Sequence, residues 1–414
     1  MSDAAVEFAP AEFAAEEIEG MEVGAAVDVL LRRAVQLRAS DMFLLAQEGF
    51  MRIAVRRLGT VEPIVNVSQA KGRHLVNSIK ARAGMEVGDS LRPHDGRWIS
   101  TLEDRTLDLR INEIPTLYGS DLTIRLLDRQ SQLLQLENLG MVHHQLADLK
   151  AMLQSPSGLI LVTGPTGAGK TTTLYSCLHA LNDGTRKINT IEDPIEYSIR
   201  GVCQSQVAPR IDLGFAELLR NILRQSPDVV MIGEVRDEPT AEIAVRAANS
   251  GHVVLATLHA PVASMAVHSM LAYGRHPTML ANSLIGVVAQ RLVRTLNPAT
   301  RIRYDMGDAR ATFEDVVELL RDGEGQAIYG PDKADPDSQG GYVYRSGLFE
   351  VMTVDDEIRE VIARGGTRHD VQAKALAKGM LDFRRAALVK VARGETSIDE
   401  MMRVLPVELL ALDG

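Results

Sequence analysis

The chain has 414 residues, an apolar fraction of 45%, 4% aromatics and a formal net charge of -10. That length exceeds what one hydrophobic core usually serves, so two or three domains are expected, and the acidic balance with few aromatics argues against a protein that grips nucleic acid. The two cysteines, Cys177 and Cys203, fit neither a disulfide framework nor a four-thiolate zinc site, and no run approaches the roughly 18 apolar residues needed to cross a bilayer. With no signal-peptide pattern at the N-terminus, a cytoplasmic protein is expected, reaching any membrane through a partner.

Residues 1–22 carry seven carboxylates and no lysine or arginine. Such a composition buries too little apolar surface to offset chain entropy, so residues 1–24 are expected to be a flexible acidic tail. A helical period follows, with Val27, Leu30, Leu31, Ala34 and Leu37 on one face. Strand-like segments come next in MRIAVRRLG and RTLDLRINEIPTLYGSDLTIRLL, which makes residues 25–133 an N-terminal α+β domain. The stretch DRQSQLLQLENLGM interrupts both periods and is the expected linker. No further globular domain is expected ahead of residue 25.

Residues 134–300 repeat short apolar runs, LILVT, INTIE, DVVMIG and VVLATL, separated by helical stretches. This is the pattern of a parallel sheet covered on both faces, an α/β core. The first run breaks into GPTGAGKTT, where Gly164, Gly169, Lys170 and Thr171 satisfy the phosphate-loop spacing between a strand and a helix. The turn, with Thr166, Gly167, Ala168 and Thr172 beside those four, is expected to cradle the phosphates of a nucleoside triphosphate on main-chain N–H groups. Lys170 would pair with the β and γ oxygens, and the Thr171 hydroxyl would ligate Mg²⁺.

Cleavage of a bound triphosphate needs acids at neighbouring strand ends, one near the metal and one to orient or deprotonate water. TIEDPIEY supplies Glu192, Asp193 and Glu196 as candidates for the base, and the residues themselves do not decide among them. DVVMIGEVRD supplies Glu234 for the metal, and VVLATLHA ends on His259, a candidate γ-phosphate sensor. Beyond residue 300 the polar, Gly/Asp/Pro-rich piece RDGEGQAIYGPDKADPDSQGG loops out before helical segments, so residues 301–414 are expected to form a third, mostly helical region.

These residues resemble the bacterial type II secretion and type IV pilus assembly ATPases, the GspE/PilB family. GLILVTGPTGAGKTTTLY, TIEDPIEY, SPDVVMIGEVRD and GHVVLATLH look like its Walker A segment, Asp box, Walker B segment and His box, and the likeness spans roughly residues 25–405. The resemblance implies a RecA-like P-loop NTPase core, a PAS-like N-terminal α+β domain and a small helical C-terminal region. It also implies Mg-ATP hydrolysis, a glutamate of the Asp box as base (Glu196 favoured, Glu192 in reserve), arginines near the phosphates at Arg97, Arg110 and Arg125, a homo-hexameric ring, and coupling to an inner-membrane platform protein. The linker near residues 128–140 would be the hinge. Three departures stand out: Phe43 where the family often has histidine, Pro261 after the His box, and no C-x-x-C pairs after LNP, so no zinc is expected. The C-terminal stretches YRSGLFEVMTVDDEIREVIARGG and GMLDFRRAALVKVARGETSIDEMMRV favour the assembly branch over a pilus retraction ATPase. A RecA-like nucleic-acid translocase is the rival from another class.

Overall fold

The computed structural model describes residues 15–88, 91–102, 104–128, 134–274, 276–305 and 312–410. The chain divides into two compact units, Met1–Gln132 with Asp332–Tyr344, and Leu133–Pro331 with Arg345–Gly414.

The first unit holds helices α1 (Ala15–Gly20), α2 (Val23–Gln36) and α3 (Gln69–Arg82). Its strands are β1 (Asp41–Ala46), β2 (Phe50–Arg57), β3 (Thr60–Ser68), β4 (His94–Leu102), β5 (Arg105–Thr116) and β6 (Gly119–Asp128). The six strands form one sheet in the order β3-β2-β1-β6-β5-β4, antiparallel at every pairing. The stripe Val27, Leu30, Leu31, Ala34 and Leu37 is buried with Leu75, Val76 and Ile79 of α3 against alternate residues of the sheet, among them Met42, Ile53, Leu109 and Ile124. Strand alternation sends their neighbours to the other face. The expected acidic tail ends in structure: α1 places Ile18 fully in this core, and the Glu19 carboxylate accepts a hydrogen bond from the Ser68 N–H at 3.0 Å.

The second unit contains α4 (His143–Leu153), β7 (Gly158–Thr163), α5 (Lys170–Leu181), β8 (Ile188–Glu192), β9 (Val202–Gln206) and α6 (Phe215–Ile222). After these come β10 (Val229–Ile232), α7 (Glu238–Asn249), β11 (Val253–Leu258), α8 (Ala263–Ala272) and β12 (Leu284–Leu296). A short ribbon of β13 (Ile302–Tyr304) and β14 (Ile328–Gly330) precedes β15 (Tyr342–Thr353). The sheet runs β15-β12-β7-β11-β10-β8-β9, and the pairings from β12 to β9 are all parallel. Leu159 and Leu161 face one core while Ile160 and Val162 face another, so β7 is buried on both sides and reads as a continuous apolar run.

Residues 301–414 divide between the units. β15 joins the large sheet beside β12, the following helices pack on the same core, and Asp332–Tyr344 clusters with the first unit. There Gln339 Nε2 donates to Thr60 Oγ1 at 2.8 Å and to Glu62 Oε2 at 3.0 Å. Of the expected hinge, residues 129–133 lie outside the described residues. From 134 onward the chain is anchored in the second unit, with the Leu134 carbonyl accepting from Ser176 Oγ at 2.6 Å and Leu136 and Leu139 buried.

Candidate active site

Parallel strands deliver all their carboxyl ends to one edge, where the chain leaves the ladder and main-chain groups are free to meet a ligand. On this edge stand the Gly164–Gly169 turn after β7, Asp193 after β8, Glu234 after β10 and His259 after β11. Gly164 and Gly169 have φ of +147° and +89°, a region that favours glycine, and Gly169 starts α5 so that Lys170 is its first helical residue. The amides of the first turn and the helix dipole there favour an anion.

The side chains around this turn form a continuous chain. Lys170 Nζ donates to the carbonyls of Gly164 at 2.8 Å and Pro165 at 3.1 Å, and lies 3.4 Å from His259 Nδ1. His259 Nε2 is 3.0 Å from Glu234 Oε1, and Glu234 Oε2 is 2.6 Å from an Arg236 guanidinium nitrogen. The same guanidinium reaches Asp193 at 3.6 Å. Burial lowers the pKa of Lys170, with the Glu234 charge acting against that shift, and the hydrogen bond that Arg236 donates to Glu234 raises that of Arg236. Thr163 holds the His259 segment from beneath: its hydroxyl donates to the Ala260 carbonyl at 2.8 Å and accepts the Ala260 N–H at 2.7 Å.

The acids of TIEDPIEY divide by environment. Glu192 is 3% exposed and accepts from the Tyr175 hydroxyl, from Thr190 Oγ1 at 2.6 Å and from Gln204 Nε2 at 3.0 Å. Burial and the bond to Glu192 push the Tyr175 phenol above its ordinary range. Glu196 is half-buried, its N–H donating to the Tyr175 oxygen at 3.4 Å, and Asp193 is exposed. Tyr175 thus ties the helix that begins at Lys170 to the turn carrying Glu196.

Arg97, Arg110 and Arg125 belong to the first unit, where strand register aligns them. Arg97 lies opposite Arg110, Arg110 opposite Arg125, Arg125 opposite Asp41, and Asp41 opposite Arg56. The row occupies the face turned away from the core. Asp41 is 3.4 Å from both Arg125 and Arg56, while Arg97 forms a bidentate pair with buried Asp108, at 2.8 Å through Nε. Like charges directly opposite one another destabilise a sheet, and here Asp41 and Asp108 lie among the guanidinium groups and pair with them.

Sequence reasoning missed Arg236, Tyr175, Thr163 and Arg56. All four lie inside quoted stretches, Arg236 two residues past Glu234 and Tyr175 five past Lys170, but their partners are fixed only by strand packing.

A glycine turn opening a helix, backed by a lysine, a histidine and acids from three further strand ends, is the apparatus of a nucleotide-cleaving enzyme. The chain belongs to the Type II/IV secretion system protein family, which it matches over residues 17–403, and it is an ATPase. It is 39% identical over 382 residues to the type II secretion system protein E of Dickeya dadantii (strain 3937), covering 92% of this chain and 75% of that one. It is 37% identical over 378 residues to the type II secretion system ATPase E of Vibrio cholerae serotype O1, covering 91% and 74%. Among solved structures, the Legionella pneumophila ATPase DotB shares the fold at a TM-score of 0.68 and 22% identity, over 91% of this chain and 94% of that one. The pilus retraction motor PilT does so at 0.60 and 24%, over 92% and 96%. Among the described residues no helix is long and apolar enough to cross a membrane.

Proposed function

We propose that this ATPase drives assembly of a type II secretion pseudopilus or a type IV pilus, as a homo-hexameric ring on the cytoplasmic side of the inner membrane that works on a membrane platform protein. The observation that carries the reading is the unbroken chain Lys170, His259, Glu234, Arg236, Asp193, which joins the phosphate turn to two acidic strand ends. The large sheet with its glycine turn supports a RecA-like P-loop NTPase core, and the small antiparallel sheet with its helices a PAS-like domain.

In this reading ATP lies on the Gly164–Gly169 turn and the first turn of α5, with Lys170 on its terminal phosphates. Thr171 and Glu234 would hold Mg²⁺, an ion that keeps water and phosphate oxygens as most of its ligands and needs few from protein, and it would neutralise charge on the phosphates. Glu196 orients and deprotonates the attacking water. Glu192, enclosed by three donors, supports it through Tyr175. His259, between Lys170 and Glu234, reports the γ-phosphate to the acidic strand ends. Arg97, Arg110 and Arg125 stabilise the charge that builds on the transferring phosphoryl group. The acidic chain and few aromatics support a protein partner over a nucleic acid.

Two variants and one capture test the reading. Lys170→Ala should abolish tight ATP binding, whereas Glu234→Gln should bind ATP and fail to turn it over. The platform protein should be retained from detergent-solubilised inner membrane with a non-hydrolysable ATP analogue and lost without nucleotide. Wild-type hydrolysis by both variants would refute the site, and stimulation by DNA or RNA would replace the filament motor with a translocase.

A further inference from the structure

The parallel register sets Ala289 of β12 beside Thr163 of β7, so Gln290 stands next to Gly164, where the phosphate turn begins. The Gln290 carbonyl oxygen occupies the space that a Cβ at position 164 would need, 2.3 Å from it. Its side chain reaches the other end of the turn: Nε2 donates to the Ala168 carbonyl at 2.7 Å and lies 3.2 Å from where a Cβ on Gly169 would stand. One residue therefore touches both ends of the turn. Gln290 is 1% exposed, and because a carbonyl can only accept, the amide orientation follows from its partner.

β12 is itself firmly held. The Arg294 N–H donates to Glu400 Oε1 at 2.9 Å and its guanidinium grips Glu400 Oε2 at 2.8 and 2.9 Å, while the Arg294 carbonyl accepts from Thr396 Oγ1 at 2.7 Å. Arg291 donates to the Val404 carbonyl at 3.3 Å. The amide is thus presented from a strand fixed by its own partners, the condition for holding another group accurately.

We infer that Gln290 is a positioning residue for ATP binding, an inference that rests on the turn being the phosphate site. The reason lies in the peptide unit, which is planar and trans, so its C=O and N–H point in opposite directions. Holding the Ala168 carbonyl toward β12 turns the Gly169 N–H away from β12, and that N–H has no protein acceptor among the described residues. Gln290 touches no phosphate; it aims a group that does. Without it the Ala168–Gly169 peptide can rotate, and the cradle must be ordered at the expense of binding.

The test is titration of a fluorescent ATP analogue with Mg²⁺ into full-length protein. Gln290→Leu keeps the volume and loses the donor, and should weaken binding about tenfold, the scale of one buried hydrogen bond. Gln290→Glu gives the readout that packing alone would not move. As a carboxylate it repels both the Ala168 carbonyl and polyphosphate; protonated, it can donate as the amide does. Its affinity should therefore recover toward wild type as pH falls from 8 to 6, with no such recovery for Gln290→Leu. If Gln290→Leu fails to fold, the pH series on Gln290→Glu decides alone. Wild-type affinity in Gln290→Leu, or a flat pH profile in Gln290→Glu, overturns the inference. Lys170→Ala run in parallel separates the two levels. Unchanged binding there refutes the phosphate site itself, whereas lost binding there with unchanged Gln290 variants refutes only the role of Gln290.

Discussion

His259 Nε2 and Glu234 Oε1 stand 3.0 Å apart, although they come from the ends of two different strands, β11 and β10. The contact is specified by two adjacent links: Val235 N–H donates to the Thr257 carbonyl at 2.9 Å, and the Thr257 side-chain hydroxyl to the Gly233 carbonyl. Glu234→Gln should lower turnover by about 10²–10⁴-fold with nucleotide binding retained. His259→Ala should lower it by about 10- to 100-fold. If the pair acts as a unit, the double variant will be little worse than Glu234→Gln alone. Steady-state ATPase rates over the four proteins measure this, and additive losses would show that the contact is incidental.

The arginine row separates function from stability. Arg125 shares Asp41 with Arg56, so Arg125→Gln leaves that acid paired and should change unfolding free energy by no more than about 0.5 kcal/mol. If Arg125 acts on the transferring phosphoryl group as proposed, turnover should nevertheless fall by about 10³-fold or more. Arg97→Ala differs because it removes the bidentate donor of Asp108, which is 2% exposed, and should lower stability as well as activity. Chemical denaturation beside ATPase assays checks both; equal activity in Arg125→Gln and wild type would make the row structural.

How much of this was legible in the letters differs by element. The runs LILVT, INTIE, DVVMIG and VVLATL become β7, β8, β10 and β11, because a strand buried on both faces must be apolar throughout. Partners were not legible. Arg56 and Arg125 are 69 positions apart and meet around Asp41 only because β2, β1 and β6 pair in one register. Ile18 was hidden by the acids around it, since composition averages over a segment while one buried side chain can anchor it. The residues alone do not choose between Glu192 and Glu196, and only the resemblance favours Glu196; the burial of Glu192 among Tyr175, Thr190 and Gln204 tells them apart. The polar stretch 321–341 reads as a loop, yet its second half clusters with the first unit because Gln339 finds acceptors on β3.

That segment yields a prediction about cleavage. Asp332–Tyr344 clusters with the first unit while the chain on either side belongs to the second. Tyr342 and Asp335 are buried, and the Arg38 guanidinium lies 5.4 Å from the Tyr344 ring centroid. A protease site inserted after Gln132 should therefore give two fragments that still elute together at micromolar concentration without denaturant. Adding Gln339→Ala and Tyr344→Ala should let them separate. Immediate separation of the singly cut protein would show that the segment contributes little.

Glu350 should make stability depend on pH in a definite direction. It lies on β15, 1% exposed, and accepts the N–H of Ala263 at 2.9 Å and of Phe383 at 3.3 Å, so one carboxylate caps two helices. Burial raises its pKa from the usual 4.5 to about 7, the charge of Asp382 adding to this and the two N–H donors and Arg291 opposing it. The folded state thus holds the Glu350 proton more tightly than the unfolded chain does. Its contribution is fully present below about pH 4.5 and is lost as pH rises through about 7, a change on the order of 3 kcal/mol. The variant Glu350→Gln has no proton to exchange, so between pH 5 and 7 its stability should fall less steeply than wild type, by up to about 1.4 kcal/mol per pH unit. Comparing slopes from urea denaturation avoids confusion with any fixed cost of the substitution, and parallel slopes would place the Glu350 pKa near its ordinary value. The consequence reaches the active site, because Ala263 begins α8 four residues after His259. The buried charge that Glu350 carries above pH 7 should then show as a lower temperature midpoint that bound ATP partly restores, since ligand held only by the folded state stabilises it by mass action.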